Sequence, residues 1–246
     1  MKSKFKFLIA LTVFGLLFSN ASLSFADEVN DLLSFYVNKF TPERAELVIS
    51  DKPDSTGMFN DIYLELTGVV IEQLRLDSLK VRMRGVQFNE PSQWASGNVE
   101  CKEALLVLAS GKILESDINK SIANRTFGEG DHWHDLSMKI ASSGLSGRGY
   151  YKFSFLDILI EINSGLRIVQ GKELWLNNPL IKINKMDLPD YVTRKALSQI
   201  QPLVNLQEFP LPLSLNRVEL SQGEAVLSSR RLPEPLTDGL KYIYIK

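Results

Sequence analysis

Apolar and polar residues alternate with a period of two over most of the chain from Glu46 onward. In one clear stretch, Ile62, Leu64 and Leu66 fall on one face and polar residues on the other. Such alternation is typical of strands that bury one face. Further strand-like segments lie at residues 71–88, 136–140, 149–155, 158–162, 166–169, 174–183, 213–220 and 225–227, with breaks expected at Gly147, Gly165, Gly171 and Gly223. The pattern predicts a mostly antiparallel sheet and a last edge strand, 240–245, that is apolar on both faces and therefore docked.

Helical periodicity is confined to three short segments. Residues 27–40 carry one apolar stripe, residues 117–125 follow a capping Ser116, and residues 190–203 follow Pro189 and end near Pro202. The inward positions are Val29, Leu32, Leu33, Tyr36 and Phe40 in the first segment, Ile118 and Ile122 in the second, and Val192, Ala196, Leu197, Ile200 and Leu203 in the third. Few short helices beside about ten strands predict an α+β fold, in which the helices pack on the apolar face of a curved sheet.

The first 26 residues have the three parts of a secretory signal peptide. Three lysines precede an apolar run at residues 7–18, and small and polar residues lead to Ala26. That run has 12 residues, whereas a membrane-spanning helix needs roughly 20. We therefore expect cleavage after residue 26, and a single β-rich domain, 27–246, that is soluble in the periplasm or another extracytoplasmic space.

The net charge argues against a nucleic-acid partner, and the cysteine content excludes an intramolecular disulfide bond. Cleavage would remove three lysines and no acid, so the formal net charge would change from -1 to -4. An acidic domain has no electrostatic attraction to nucleic acid. Cys101 is the only cysteine, and its surroundings alternate like a strand, so we expect a half-buried thiol and no intramolecular disulfide.

Two histidines in an acidic segment are the most suggestive polar cluster. His132 and His134 would point the same way on an extended backbone and could reach one divalent metal ion, although a solvated turn fits the segment better. Residues 142–147 are rich in serine and glycine but lack the nucleophile elbow of a serine hydrolase, so they predict a hairpin turn. The sequence therefore indicates no catalytic residues, no metal and no cofactor.

Several segments resemble the LmeA family of bacterial exported proteins. They are residues 60–72 (NDIYLELTGVVIE), 76–86 (LDSLKVRMRGV), 116–122 (SDINKSI), 187–189 (DLP), 202–206 (PLVNL), 209–211 (FPL) and 218–227 (VELSQGEAVL). The resemblance implies phospholipid binding in the cell envelope without catalytic residues. It also implies kinship with elongated, tubular lipid-binding sheets that wrap a long helix.

The strands carry more apolar surface than three short helices cover, which predicts an apolar groove between the sheet and the helices. The expected occupant is a phospholipid or another acyl-chain lipid, whose chains need burial and little hydrogen bonding. The candidate lining residues are Leu33, Tyr36, Ile118, Ile122, Val192, Ala196 and Ile200. Transient membrane contact is compatible with this hypothesis, and the sequence identifies no protein partner. The alternatives are an envelope scaffold that binds proteins through exposed strand edges and, third, an enzyme that uses the histidine cluster.

Overall fold

Two antiparallel sheets and a few short helices form the described part of the chain. The computed structural model describes residues 28–71, 74–123, 133–187, 189, 201–207 and 209–246. The helices are α1 (Glu28–Phe40), a 3-10 helix (Pro91–Ser96) and α2 (Glu115–Ala123). The strands are β1 (Arg44–Ile49), β2 (Met58–Ile71), β3 (Leu74–Phe88), β4 (Cys101–Leu114), β5 (Trp133–Ala141), β6 (Gly144–Phe153), β7 (Leu156–Val169), β8 (Glu173–Ile183), β9 (Met186–Asp187), β10 (Val204–Asn205), β11 (Arg217–Ser221), β12 (Glu224–Ser228) and β13 (Leu240–Ile245). The predicted α+β class with mostly antiparallel strands is confirmed.

The first sheet has the strand order β11-β12-β4-β3-β2-β1-β13 and is open. One row across it shows how the alternation builds the core: Leu47 lies opposite Leu64, Leu64 opposite Val81, and Val81 opposite Ala109. Directly opposed residues share a face of the sheet, and all four of these side chains are fully buried. Each buried Leu or Val contributes about 1.5–3 kcal/mol to folding.

Helix α1 covers this buried face with the predicted stripe. Val29, Leu32, Leu33, Tyr36 and Phe40 are all buried, which confirms the prediction for the first helix. At one end of the sheet, the side chain of Trp94 packs beside the rings of Phe59 and Phe88, and its indole N–H donates to Asn89. The largest apolar cluster of the molecule therefore lies between the first sheet and α1.

The second sheet has the order β10-β8-β7-β6-β5, with β9 paired to β8. A bulge in β8 keeps the apolar residues of this strand on one face. Leu176 pairs with Leu166 and Ile181 pairs with Ile162, although Leu176 and Ile181 are five positions apart and would lie on opposite faces of a regular strand. One extra residue at Asn178, with φ +49°, absorbs the change of parity.

Helix α2 and the turn between β11 and β12 join the two sheets. The side-chain amide of Asn119 donates to the carbonyl of Met138 at 2.9 Å and accepts from its N–H at 2.7 Å, so it replaces a neighbouring strand at the edge of β5. The carboxylate of Glu115 accepts from the N–H of Ile140 at 2.8 Å, and the carbonyl of Ile140 accepts from Gly223 at 3.0 Å. These bonds fix the position of the second sheet beside the first.

The structure corrects the predicted start of the second helix and two predicted breaks. Helix α2 begins at Glu115, so Ser116 lies inside its first turn and does not cap it. Gly147 lies within β6 and Gly165 within β7, whereas Gly171 and Gly223 lie in turns as expected. Residues 142–143 form the predicted hairpin turn between β5 and β6.

The third predicted helix lies mostly outside the described residues, since residues 188 and 190–200 are not among them. Gln201 to Leu203, its expected last turn, are not helical. In the part of the chain that the structure describes, no helix is both long enough and apolar enough to span a membrane.

The last strand, β13, is present at the predicted residues and pairs with β1 at the edge of the first sheet. The ammonium of Lys241 lies 2.6 Å from the carboxylate of Glu46 and ties β13 to its neighbour. However, the side chains of Ile243 and Ile245 are exposed. Only one face of the strand is docked, because α1 reaches the sheet from one side alone.

Candidate functional site

An apolar cavity lies between the first sheet and the irregular segment that precedes β11. The sheet contributes Leu74, Leu76 and Leu79 from β3, and Ala109, Gly111 and Ile113 from β4. The remaining lining residues are Ile71, Val204, Leu206, Phe209, Leu213, Leu215 and Leu227. Every described lining residue is apolar, so this part of the wall offers burial to hydrocarbon and neither a nucleophile nor a proton-transfer group.

Gly111 opens the floor of this cavity. The residues before and after it on the same face, Ala109 and Ile113, are buried against the core. A Cβ built on Gly111 would lie 3.3 Å from the terminal carbon Cδ2 of Leu76 and 4.0 Å from the carbonyl oxygen of Ser78. The space that a side chain would fill at this position is therefore part of the cavity.

The opposite wall is extended without being part of a sheet, because its prolines prevent strand pairing. Pro210 and Pro212 have no N–H to donate, and each keeps the residue before it extended. The residues between and around them alternate like a strand, and Leu211, Leu213 and Leu215 are buried. The segment thus packs its apolar side chains on the sheet without pairing with it as a strand.

Backbone hydrogen bonds anchor this wall at its two ends. The N–H of Leu203 donates to Leu174 at 2.8 Å, and that of Leu206 donates to Lys172 at 2.9 Å. At the other end, the N–H of Leu215 donates to Gly171 at 2.8 Å. Between the anchors, the N–H groups of Phe209 and Leu213 donate to carbonyls of the segment itself. The middle of the wall is therefore held to the sheet mainly by apolar contacts.

An aromatic stack connects the wall with α1. The ring of Phe209 stacks on Phe40, with 5.1 Å between the ring centroids, and Phe40 stacks in turn on Tyr36 at 6.3 Å. A movement of the wall away from the sheet would separate Phe209 from Phe40 and leave the rest of the α1 stripe in place.

The cavity is small in this structure, at about 40 Å³. That is room for about three water molecules, whereas pockets for drug-sized ligands enclose about 300–1,000 Å³. A lipid chain therefore fits only if the wall moves outward between its two anchors.

The apolar face of the second sheet extends away from this cavity. Ile168 at the cavity end of β7 lies opposite Leu174 of β8, next to the anchor of the wall. Toward the other end of β7, Ile158, Ile160 and Ile162 lie on the same face and are half-buried. Gly147 and Gly149 of β6 lie beside them and are overlaid by the side chains of Ile162 and Leu136 respectively. The result is a face of β7 that is apolar except at the buried Ser164.

The predicted lining residues lie elsewhere in the structure. Leu33 and Tyr36 are buried beneath α1 in the main core, whereas Ile118 and Ile122 are half-buried on α2. None of these four lines the cavity described above, and whether any of them contacts lipid stays a prediction. Val192, Ala196 and Ile200 lie outside the described residues.

Two ionisable groups near α1 stay neutral. Burial, followed by the proximity of Cys101, holds the pKa of Tyr36 well above its usual value, and within the described residues its hydroxyl has no hydrogen-bond partner. Burial also raises the pKa of the Cys101 thiol to about 11. This half-buried, protonated thiol agrees with the expected small hydrophobic side chain.

The histidine cluster is only partly described, because His132 lies outside the described residues. The Nδ1 of His134 lies 3.1 Å from Asp135, and its Nε2 lies 3.2 Å from Asp157. Hydrogen bonds to Asp135 and then Asp157 raise the pKa of this imidazole. The described residues include no group of three or more histidine, cysteine or acidic side chains placed to hold a metal ion.

The sequence offered one signal for the cavity that the helical periodicity did not. Residues 203–215 are unusually apolar for a segment interrupted by prolines, and Phe209, Leu211, Leu213 and Leu215 recur at every second position. Because prolines keep this apolar segment from joining a sheet as a strand, its side chains are expected to be buried against the face of a sheet instead.

Comparison with protein families matches residues 55–229 to the LmeA-like phospholipid-binding family. The match contains the whole second sheet, five of the seven strands of the first sheet and all the described lining residues of the cavity. No curated protein and no solved structure matches the chain. Because the family match extends over most of the chain, the protein belongs to the LmeA-like phospholipid-binding family.

Proposed function

We propose that this is an exported, non-catalytic protein that binds phospholipid, or transfers it, in the bacterial cell envelope. The observation that carries the proposal is the cavity whose described lining is entirely apolar, beneath a wall that backbone hydrogen bonds anchor at its two ends. If the wall moves outward, this cavity can take up acyl chains, and each buried methylene group contributes about 0.8 kcal/mol. The phospholipid-binding family of the chain and its signal-like first 26 residues support the same proposal.

The headgroup would stay outside the cavity. The lining residues that the structure describes offer no polar side chain, and burying a phosphate without hydrogen bonds costs several kcal/mol. Selectivity among phospholipids would then depend on chain length more than on headgroup chemistry.

Lipid analysis of the purified protein tests this proposal. Protein from the exported fraction is extracted with organic solvent, and the extract is analysed by mass spectrometry. The delipidated protein is then titrated with a monomeric, short-chain fluorescent phospholipid. We expect phospholipid in the extract and saturable uptake of the probe. A lipid-free extract together with no uptake would contradict the proposal.

A charge placed in the wall shows whether the cavity is the site of uptake. Leu206→Glu puts a carboxylate at a half-buried lining position, and binding of a chain beside it becomes at least about tenfold weaker. Leu232→Glu is the matched control, because Leu232 is exposed and does not line the cavity. Equal uptake by the two variants would place the lipid elsewhere.

The exposed edge of β13 favours the alternative of an envelope scaffold. Ile243 and Ile245 are exposed on a strand that ends the first sheet, where an added strand of another protein could pair. A scaffold would lose its protein partner when Ile243 is replaced by proline, and a lipid carrier would keep its lipid in the same variant.

A further inference from the structure

Three exposed apolar side chains lie toward one end of the second sheet. Phe155, in the turn between β6 and β7, is 86% exposed, Leu156, the first residue of β7, is 53% exposed, and Met186, in β9, is 69% exposed. The end of β8 lies beside the first part of β7, because the N–H of Asn184 donates to the carbonyl of Leu159 at 2.8 Å. Met186 pairs with Ile183 at that end of β8. We define Phe155, Leu156 and Met186 together as the apolar tip.

The apolar tip and the cavity lie at opposite ends of the same sheet face. From Leu156 to Ile168, β7 extends about 40 Å at the usual rise of a strand. Ile168 lies opposite Leu174, whose carbonyl accepts from Leu203 at the start of the cavity wall. The half-buried Ile158, Ile160 and Ile162 lie between the two ends. A hydrocarbon chain that enters at the tip can thus reach the cavity along this face of β7, on which Ser164 is the one polar residue, buried and with its hydroxyl donating to backbone carbonyls.

The charges around the tip balance. The two turns and the adjoining strand ends carry Lys152, Lys182 and Lys185 together with Asp135, Asp157 and Asp187. The ammonium of Lys182 lies 3.7 Å from Asp187, and His134 lies between the other two carboxylates. Among the described residues, this end of the molecule therefore has no excess of positive charge with which to attract an anionic membrane surface.

We propose that the apolar tip is the membrane-docking end of the protein, which inserts Phe155, Leu156 and Met186 into a lipid bilayer. Docking is driven by the burial of these side chains and is indifferent to lipid charge. The docked tip brings the apolar face of the second sheet to the bilayer, so that an acyl chain leaves the membrane along β7. This inference rests on the proposed function, because the lipid it delivers is the one that the cavity holds.

Co-flotation with vesicles tests the docking end. The mature protein is mixed with vesicles of phosphatidylcholine alone and with vesicles that also contain phosphatidylglycerol, at low ionic strength and at about 1 M, where charges are screened beyond roughly 3 Å. We expect similar binding under all four conditions. Phe155→Ser should weaken binding about tenfold, and a further Met186→Ser should weaken it again.

Leu105→Ser is the matched control. Leu105 is 87% exposed, as much as Phe155, but it lies on β4 of the first sheet. It should leave vesicle binding unchanged. Equal loss in the Leu105 and Phe155 variants, no vesicle binding by the wild type, or binding that needs phosphatidylglycerol and disappears in high salt would each overturn the inference.

Uptake of the monomeric short-chain phospholipid separates this inference from the proposed function. Phe155→Ser should take up the soluble probe as the wild type does, because no membrane is involved. Normal uptake with no effect of the tip on vesicle binding refutes the docking end alone. If the wild-type protein itself takes up no probe, the proposed function is refuted.

Discussion

Gly111→Ala is expected to stabilise the protein and at the same time to weaken lipid binding. The backbone of Gly111 is ordinary for a strand, so an alanine needs no unusual φ. The new methyl group would point into the cavity, with the flexible end of Leu76 as its nearest neighbour at 3.3 Å. A shift of that side chain by a few tenths of an ångström relieves the contact.

The magnitude follows from the cavity volume. An empty space of about 40 Å³ costs about 1 kcal/mol, at roughly 24 cal/mol for each Å³. The methyl group recovers part of that cost. Replacing glycine also stabilises the folded state by roughly 0.4–1 kcal/mol, because alanine lowers the conformational entropy of the unfolded chain. The tight contact with Leu76 subtracts from the sum, so we expect the free energy of unfolding to rise by about 0.5–1 kcal/mol. Probe affinity should fall about tenfold or more, because the methyl group occupies space that the chain needs.

Urea unfolding of the delipidated protein measures the first effect, and titration with the short-chain probe measures the second. Gly165→Ala is the control, since its Cβ would have no neighbour closer than 3.6 Å and Gly165 does not line the cavity. It should stabilise by about 0.4–1 kcal/mol and leave probe binding unchanged. A Gly111 variant that unfolds more easily by over about 1 kcal/mol, or that binds the probe like the wild type, would refute the reasoning.

Three further predictions concern other parts of the molecule. Asn119→Ala should lower the free energy of unfolding by about 1–3 kcal/mol in urea, because two hydrogen bonds to the edge of β5 are lost and buried backbone groups are left unpaired; a change below about 0.5 kcal/mol would mean that water replaces the amide. The imidazole of His134 should titrate in NMR above its ordinary pKa of 6.5, and Asp135→Asn should lower that pKa. Because Asp135 and Asp157 raise the pKa of His134, its contribution to stability is complete below pH 6.5 and is lost as the pH rises through the pKa of the folded state. A measured pKa at or below 6.5 would be inconsistent with these contacts. The thiol of Cys101, with its pKa raised to about 11, should react with a disulfide reagent at neutral pH much more slowly in the folded protein than in urea, and equal rates would show that burial does not protect it.

The strands and the α1 stripe were predictable from the sequence because each has one face in the core and one in water. Helix α1 buries the residues that a period of 3.6 selects, and in β2 Ile62, Leu64 and Leu66 are buried as a period of 2 predicts. Tyr63 of β2 is also buried, on the opposite face, which the alternation does not indicate. Strand β4 was recognised only in part, up to residue 105. Its run from Leu105 to Leu108 is apolar on both faces, so no alternation marks the rest of the strand.

The glycines show where single-sequence reasoning fails. Gly147 and Gly165 were interpreted as breaks, but both lie inside long strands. A Cβ on Gly147 would lie 2.9 Å from the side chain of Ile162 on the neighbouring strand, so the missing side chain makes room for a neighbour. The sequence does not say which residue will lie across the sheet.

The predicted groove and the observed cavity differ in position. Surplus apolar surface on the strands predicted a groove beside the helices, whereas the wall of the observed cavity is the proline-interrupted segment and not a described helix. Residues 213–220 were predicted to be one strand, and the structure begins β11 only at Arg217. An extended segment that lies on a sheet and one that belongs to it have the same alternation, and they differ only in where their N–H groups donate.

The bulge at Asn178 makes the length of β8 as important as its composition. Loops usually tolerate the loss of one residue, but here such a loss would rotate the outer end of the strand by half a turn. Ile181 and Ile183 would then face water, and the charged Lys182 would lie on the apolar face of the second sheet, between the tip and the cavity. We therefore expect natural relatives to lack single-residue deletions in this stretch and to accept substitutions that keep its number of residues.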